Sequence, residues 1–243
     1  MSFSTLLVEE RSDRLVVRLN RAAKRNAIDQ DMVDELHAVC ASLEDRPRLA
    51  LFTGGADGIF AAGADIAQLR DRTSLDALRA INSALFRRIR ALPLPTVAAI
   101  DGPALGGGAE LAYACDIRVC TDRAVFGQPE VRLGIMAGAG ATWRLPELVG
   151  ESLAKELLFT GRRMDATEAL GARLVSRVVA PEALFDTAHE LLDQIAKASP
   201  LALRLTKLAV DAEGAHPAVD LAAQSLLFDD EDKHRRMTKF LDR

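Results

Sequence analysis

The chain has 243 residues, of which 49% are hydrophobic and 27% charged, with a formal net charge of −4. That size holds one large domain, or one domain with a helical appendage, around a substantial core. The acidic balance excludes a global basic field for nucleic acid, and apolar runs such as Val97 to Ile100 are far too short to span a bilayer.

In chain order, Leu6 to Val8 and Leu15 to Leu19 flank the polar turn Arg11-Ser12-Asp13-Arg14 and predict a hairpin. Asp29 to Leu43 places Met32, Val33, Leu36, Val39, Cys40 and Leu43 on one helical stripe, with Asp29 as its cap. Leu49 to Thr53 reads as a short strand ending at Gly54-Gly55. Leu75 to Leu92 reads as a helix closed by Pro93 and Pro95. Thr96 to Ile100 is a buried strand that runs into Asp101-Gly102-Pro103. A short helix begins inside the glycine run Gly106 to Gly108, and strands follow near Ile117 to Cys120 and Ala124 to Phe126.

From Glu151 onward the pattern turns helical: 152–159, 166–171, 182–198, 201–212 and 217–228, interrupted by strand character over 174–179. Strands alternating with helices predict parallel pairing through crossovers. The expectation is an α/β core over roughly the first two thirds, followed by a helical C-terminal region.

Three segments carry chemistry. Gly106-Gly107-Gly108-Ala109-Glu110 lacks the Lys-Ser or Lys-Thr of a phosphate loop and the spacing of a dinucleotide fingerprint. Its remaining uses are close backbone approach to a ligand and free N–H groups at a helix start, or simply a tight strand-to-helix turn. Glu110 would lie in that helix's first turn, where a carboxylate complements the dipole. Its apolar neighbours instead suggest burial, which raises a carboxyl pKa toward proton-transfer values.

Phe126-Gly127-Gln128-Pro129-Glu130 offers a second carboxylate, with a solvated loop acid as the plain alternative. Phe60 to Ile66 is the third segment. Its Asp65 reads more readily as a helix cap than as a catalytic group. Gly134 to Thr142 could set another helix start against the site. Together these pieces supply an acid, a base and backbone donors, which is enough to add water across an activated double bond or to remove it.

Other features carry less. Arg25-Asn26, Arg87-Arg88 and Lys233-His234-Arg235-Arg236 read as solvated basic points, and the four histidines have no metal spacing. No Gly-x-Ser-x-Gly nucleophile elbow is present. Cys40, Cys115 and Cys120 are odd in number and without ligand spacing, so reduced buried thiols are expected and no metal site. The first ten residues lack a basic region followed by an apolar run. No secretory or transit segment is expected, and the expected location is cytoplasmic.

The three segments, in this order, resemble the crotonase superfamily, specifically the enoyl-coenzyme A hydratases and isomerases. The likeness runs from Arg25-Asn26-Ala27 to Met237-Thr238-Lys239-Phe240-Leu241. It implies a spiral of ββα units with two roughly perpendicular sheets: an α/β core over 1–190 and a helical trimerisation region over 191–243. By resemblance, Glu110 and Glu130 are the catalytic pair, and Ala64 and Gly107 supply the oxyanion N–H groups. Gly138 lies beside the catalytic water. Asn26, Ala27, Ala62, Asp65 and Ile66 border the coenzyme, and Phe240 and Arg243 reach it from the tail, often from a neighbouring subunit.

The chain departs from the family pattern at Ala137, Ala141, Trp143 and Arg235-Arg236, where proline, glycine, glutamine and a Glu-Gly pair are common. The implied function is reversible hydration of an enoyl-coenzyme A thioester by a homotrimer or dimer of trimers. It uses no prosthetic group, coenzyme A being part of the substrate. Isomerisation, hydration of a specialised acyl group, and a non-catalytic acyl-coenzyme A binder or RNA-associated scaffold are the alternatives. The two retained glutamates count against pure binding, and the lack of basic-aromatic interleaving counts against RNA. Nucleic acid and membrane are not expected partners.

Overall fold

A computed structural model describes residues 3–55, 58–212 and 214–241. The hairpin forms from β1 (Leu6–Glu10) and β2 (Arg14–Leu19), paired antiparallel with Val8 opposite Val17. α1 (Gln30–Asp45) follows, and the Asp29 carboxylate accepts from the Met32 N–H at 3.0 Å. Its buried face is Met32, Val33, Leu36, Val39, Cys40 and Leu43, the stripe legible in sequence.

The chain continues through β3 (Leu49–Thr53), α2 (Ile66–Asp71), α3 (Ser74–Leu78), α4 (Ile81–Arg90), β4 (Thr96–Ile100), β5 (Pro103–Leu105) and α5 (Gly107–Ala114). Then come β6 (Ile117–Thr121), β7 (Val125–Gly127), α6 (Ala141–Val149), α7 (Glu151–Thr160), β8 (Arg163–Asp165), α8 (Ala166–Gly171) and β9 (Arg177–Val179). The last helices are α9 (Leu184–Ala196), α10 (Pro200–Asp211), α11 (Ala218–Phe228) and α12 (Glu231–Leu241).

A six-stranded sheet has the order β1-β2-β3-β4-β6-β9, parallel throughout after the first hairpin. In the small sheet β5-β7-β8, β5 follows β4, β7 follows β6 and β8 follows α7, so the pairs β4-β5 and β6-β7 each lead to a helix. Both faces of the large sheet are covered at its centre, where β3 and β4 are buried at every position rather than alternating. On β3 and β4, Ala50, Phe52, Ala98 and Ile100 join the core shared with α1, α4 and α5. Leu49, Leu51, Val97 and Ala99 face the other way, against Leu184, Ala188 and Leu192 of α9. α9 therefore completes the sheet layer and runs through residue 190 without a break.

One expected element is different. The helix expected from Leu75 to Leu92 is two helices, α3 and α4. Ala80 between them takes a left-handed conformation at φ 56°. α3 is closed locally by a capping box between Thr73 and Asp76 and leaves Leu75 and Leu78 exposed, whereas α4 buries Asn82, Leu85, Phe86 and Ile89. The break gives the two segments independent facing, which one continuous apolar stripe could not do. β5 and β8 were not foreseen; three residues are too few to show a period.

Candidate active site

The loop after β3 is laced into place from both sides. Phe60 and Ala61 donate to the Pro103 carbonyl, each at 3.1 Å, and Leu105 N–H returns a bond to Ala61 at 3.0 Å. On the other side Ile28 N–H donates to Gly63 at 2.8 Å and Asp65 N–H to Ile28 at 3.0 Å. Ala64 N–H, between these bonds, makes no backbone hydrogen bond among the described residues, and Gly107 is the first residue of α5, where an N–H has no intrahelical partner. A Cβ added at Gly107 would lie 3.4 Å from Ala64 N, so the two donors border one small space.

Glu110, one turn into α5, is only 4% exposed. Its Oε1 accepts from Ala139 N–H at 2.8 Å and Ala141 N–H at 3.0 Å, at the start of α6. Burial pushes its pKa up to about 7, the charge of Glu130 adds to the rise, and the α6 amides pull the other way. The Ala137 and Ala141 departures thus leave the loop-to-carboxylate contact in place.

Glu130 opens a 3-10 turn (Glu130–Leu133) directly after Pro129. It is half-buried, and burial holds its pKa above the ordinary carboxylate value. Gly106 is the reason it can come so near: a Cβ there would stand 2.5 Å from Glu130 Oε1, and the residue's φ of 49° is one that L side chains rarely adopt. Gln128, 1% exposed, fits with its amide nitrogen toward Glu130, donating to Oε2 at 3.0 Å and Oε1 at 3.3 Å. The reverse orientation would press its carbonyl against carboxylate oxygens.

The structure therefore brings Ala64, Gly107, Glu110 and Glu130 together. Gly138 sits on the approach to α6 and is exposed; the bonds to Glu110 come from Ala139 and Ala141 rather than from Gly138. Asn26 has its side chain turned into the fold. It is 3% exposed; its Nδ2 donates to the carbonyls of Gly54, Ile59 and Phe60, and its Oδ1 accepts from Arg21 N–H. Its polar atoms are committed to tying loops together.

Ala27 and Ala62 are half-buried on neighbouring loops, joined where Ala62 N–H donates to the Arg25 carbonyl at 3.0 Å. Asp65 caps α2 through Ala67 and Gln68 N–H, the role favoured from sequence. Ile66 is exposed beside it. Phe240 is exposed on α12, and Arg243 lies outside the described residues.

Sequence reasoning gave no role to Gln128 or to Asn82, a 7% exposed side chain on α4 whose Nδ2 lies 3.9 Å from the Gly107 Cβ position. Gln128 was signalled by its place inside a conspicuous motif. Asn82 had only its polarity on an otherwise apolar helix face.

Among the described residues no group of three or more His, Cys, Asp or Glu could hold a metal ion, and no helix is long and apolar enough to cross a membrane. The three cysteines are free and buried, and burial pushes each thiol up to about 12.

The chain is 38% identical to a crotonyl-CoA hydratase of Syntrophomonas wolfei and 36% identical to a short-chain-enoyl-CoA hydratase of Clostridium acetobutylicum, each match covering 100% of this chain and 97% of the other. A crystal structure of an enoyl-CoA hydratase from Bacillus anthracis superposes with a TM-score of 0.93 at 30% identity, covering 98% of this chain and 96% of that one. The enoyl-CoA hydratase/isomerase family model matches residues 9–242, and the chain belongs to that family.

Proposed function

We propose that the protein is an enoyl-coenzyme A hydratase, a hydro-lyase that adds water reversibly across the α,β double bond of an acyl thioester of fatty acid metabolism. The observation that carries this reading is the pair of carboxylates, buried Glu110 and half-buried Glu130, held beside the Ala64 and Gly107 N–H donors.

The thioester oxygen accepts from Ala64 and Gly107. As hydroxide character adds at the β-carbon, that oxygen gains enolate charge. Fixed donors favour it over the ground state, so the barrier falls. Glu110, ionised, takes a proton from the attacking water. Glu130, protonated, gives a proton to the α-carbon. One C–O and one C–H bond form, the double bond is lost, and net atoms balance as one added water. Proton exchange with solvent restores the pair; dehydration runs the same steps backwards. The two groups titrate together, and burial raises both carboxyls above their ordinary value.

Gly138 would border the attacking water. The loops around Ala27, Ala62, Asp65 and Ile66, with Asn26 as their tie, would border coenzyme A, and Phe240 and Arg243 would close over it. The proposed assembly is a homotrimer or dimer of trimers through residues 191–243. It is supported by Leu208, Leu221, Leu226 and Phe240, which stand exposed on α10 to α12. No prosthetic group enters the proposed steps, and the proposed compartment is the cytoplasm.

The test is loss of enoyl-thioester absorbance with crotonyl-coenzyme A. Turnover that depends on both glutamates supports hydration. Binding without turnover would leave an acyl-coenzyme A binder, and double-bond migration without hydration would make it an isomerase.

A further inference from the structure

Asn82 is a buried amide at the edge of the donor pair, and its orientation is fixed by chemistry. Arg72 Nη1 donates to its Oδ1 at 3.0 Å. A guanidinium can only donate, so the atom facing Arg72 is the carbonyl oxygen and the amide nitrogen must point the other way. That direction is toward Gly107: the Nδ2 lies 3.9 Å from the Gly107 Cβ position, which is itself 3.4 Å from Ala64 N. Three nitrogen donors therefore border one space. Asn82 Nδ2 makes no hydrogen bond among the described residues. The residue is 7% exposed, so an unpaired amide is held in a largely buried position.

We infer that Asn82 is a third donor to the thioester oxygen, oriented by Arg72. Resting on the hydratase reading, the inference adds a side chain to a site otherwise built from backbone. The gain is greatest as the oxygen becomes enolate-like, because hydrogen bonds to charged acceptors are the stronger ones. The Arg72 cation, bonded to the amide oxygen, polarises the same amide and raises the donor strength of its N–H groups. Arg72 does not itself touch the substrate; it is a positioning residue.

The test contrasts two ligands on the full-length protein. Acetoacetyl-coenzyme A can bind as an enolate with its own absorption band; butyryl-coenzyme A cannot. Asn82→Asp keeps the shape and the acceptor for Arg72 but removes the donor. Asn82→Ala removes both without adding charge. Both variants should lower kcat for crotonyl-coenzyme A roughly ten- to a hundred-fold, somewhat less than loss of a principal oxyanion donor. Both should weaken enolate binding by a similar factor, while butyryl-coenzyme A affinity stays within about threefold.

Arg72→Met should shift kcat and the enolate band in the same direction by a smaller factor. If Asn82→Asp behaves as wild type, Asn82 serves only to hold Arg72 and the inference is overturned. Equal weakening of both ligands would also overturn it, as general damage to the pocket. Absence of crotonyl-coenzyme A turnover in the wild type would sink the hydratase reading alone, since the enolate-to-butyryl contrast judges Asn82 without turnover.

Discussion

Replacing Glu110 by glutamine should stabilise the protein while disabling it. Glu110 carries two costs in its ionised form, burial and the nearby Glu130 charge, against two bonds from Ala139 and Ala141 N–H. A carboxyl moved from 4.5 to about 7 destabilises the native state by about 3 kcal/mol once it is ionised in both states. Below pH 4.5 it is protonated folded or unfolded, and the cost is absent. Between 4.5 and about 7 the folded chain holds more protons than the unfolded one, so its stability falls as pH rises.

Glutamine is never ionised and retains an oxygen to accept from Ala139 and Ala141. Glu110→Gln should therefore exceed wild type by about 3 kcal/mol at about pH 8, with the gap closing toward about pH 5. Urea midpoints across that range, at fixed protein concentration because assembly contributes to stability, read the difference directly. Crotonyl-coenzyme A turnover by the same samples should fall roughly a hundred- to ten-thousand-fold. A variant no more stable than wild type at high pH, or a gap that does not change with pH, would refute the burial argument.

Gly106→Ala should lose turnover, because its Cβ falls 2.5 Å from Glu130 Oε1 and must displace the carboxylate; acyl-coenzyme A binding serves as the control. Gly107→Val should lose catalysis far more than stability. Its Cβ alone meets ordinary contact distances, but the branch carbons enter the space shared with Ala64 N, and unchanged circular dichroism with full activity would contradict this. The kcat/KM for hydration should rise with pH through about 7 as Glu110 ionises, and Glu110→Asp should move that limb if the assignment is right. Light scattering should report a trimer or hexamer, and a stable monomer across working concentrations would remove the proposed role of α10 to α12.

Much of the fold was legible because both sheet faces are buried. β3 and β4 are apolar except for Thr53 and Thr96, and α1 carries its stripe and its Asp29 cap within one short segment. The α3–α4 break was not legible, since Leu75, Leu78 and Ile81 continue a helical spacing that only tertiary packing interrupts at Ala80. In the site, glycine runs beside carboxylates flagged Glu110 and Glu130, but their raised pKa values come from surroundings assembled across α5, α6 and the 3-10 turn. The structural part Asn26 plays was not legible, because its amide serves three backbone carbonyls that only folding brings beside it. Asn82 was invisible because its meaning depends on Arg72, ten residues away across the α3–α4 break.

The most direct test of the central claim is hydration of crotonyl-coenzyme A by Glu130→Gln, with butyryl-coenzyme A affinity measured on the same preparation. The amide keeps the shape of the side chain but cannot deliver the proton. Turnover should drop roughly a hundred- to ten-thousand-fold with binding nearly unchanged. A folded Glu130→Gln protein that hydrates at close to the wild-type rate would contradict the two-carboxylate mechanism.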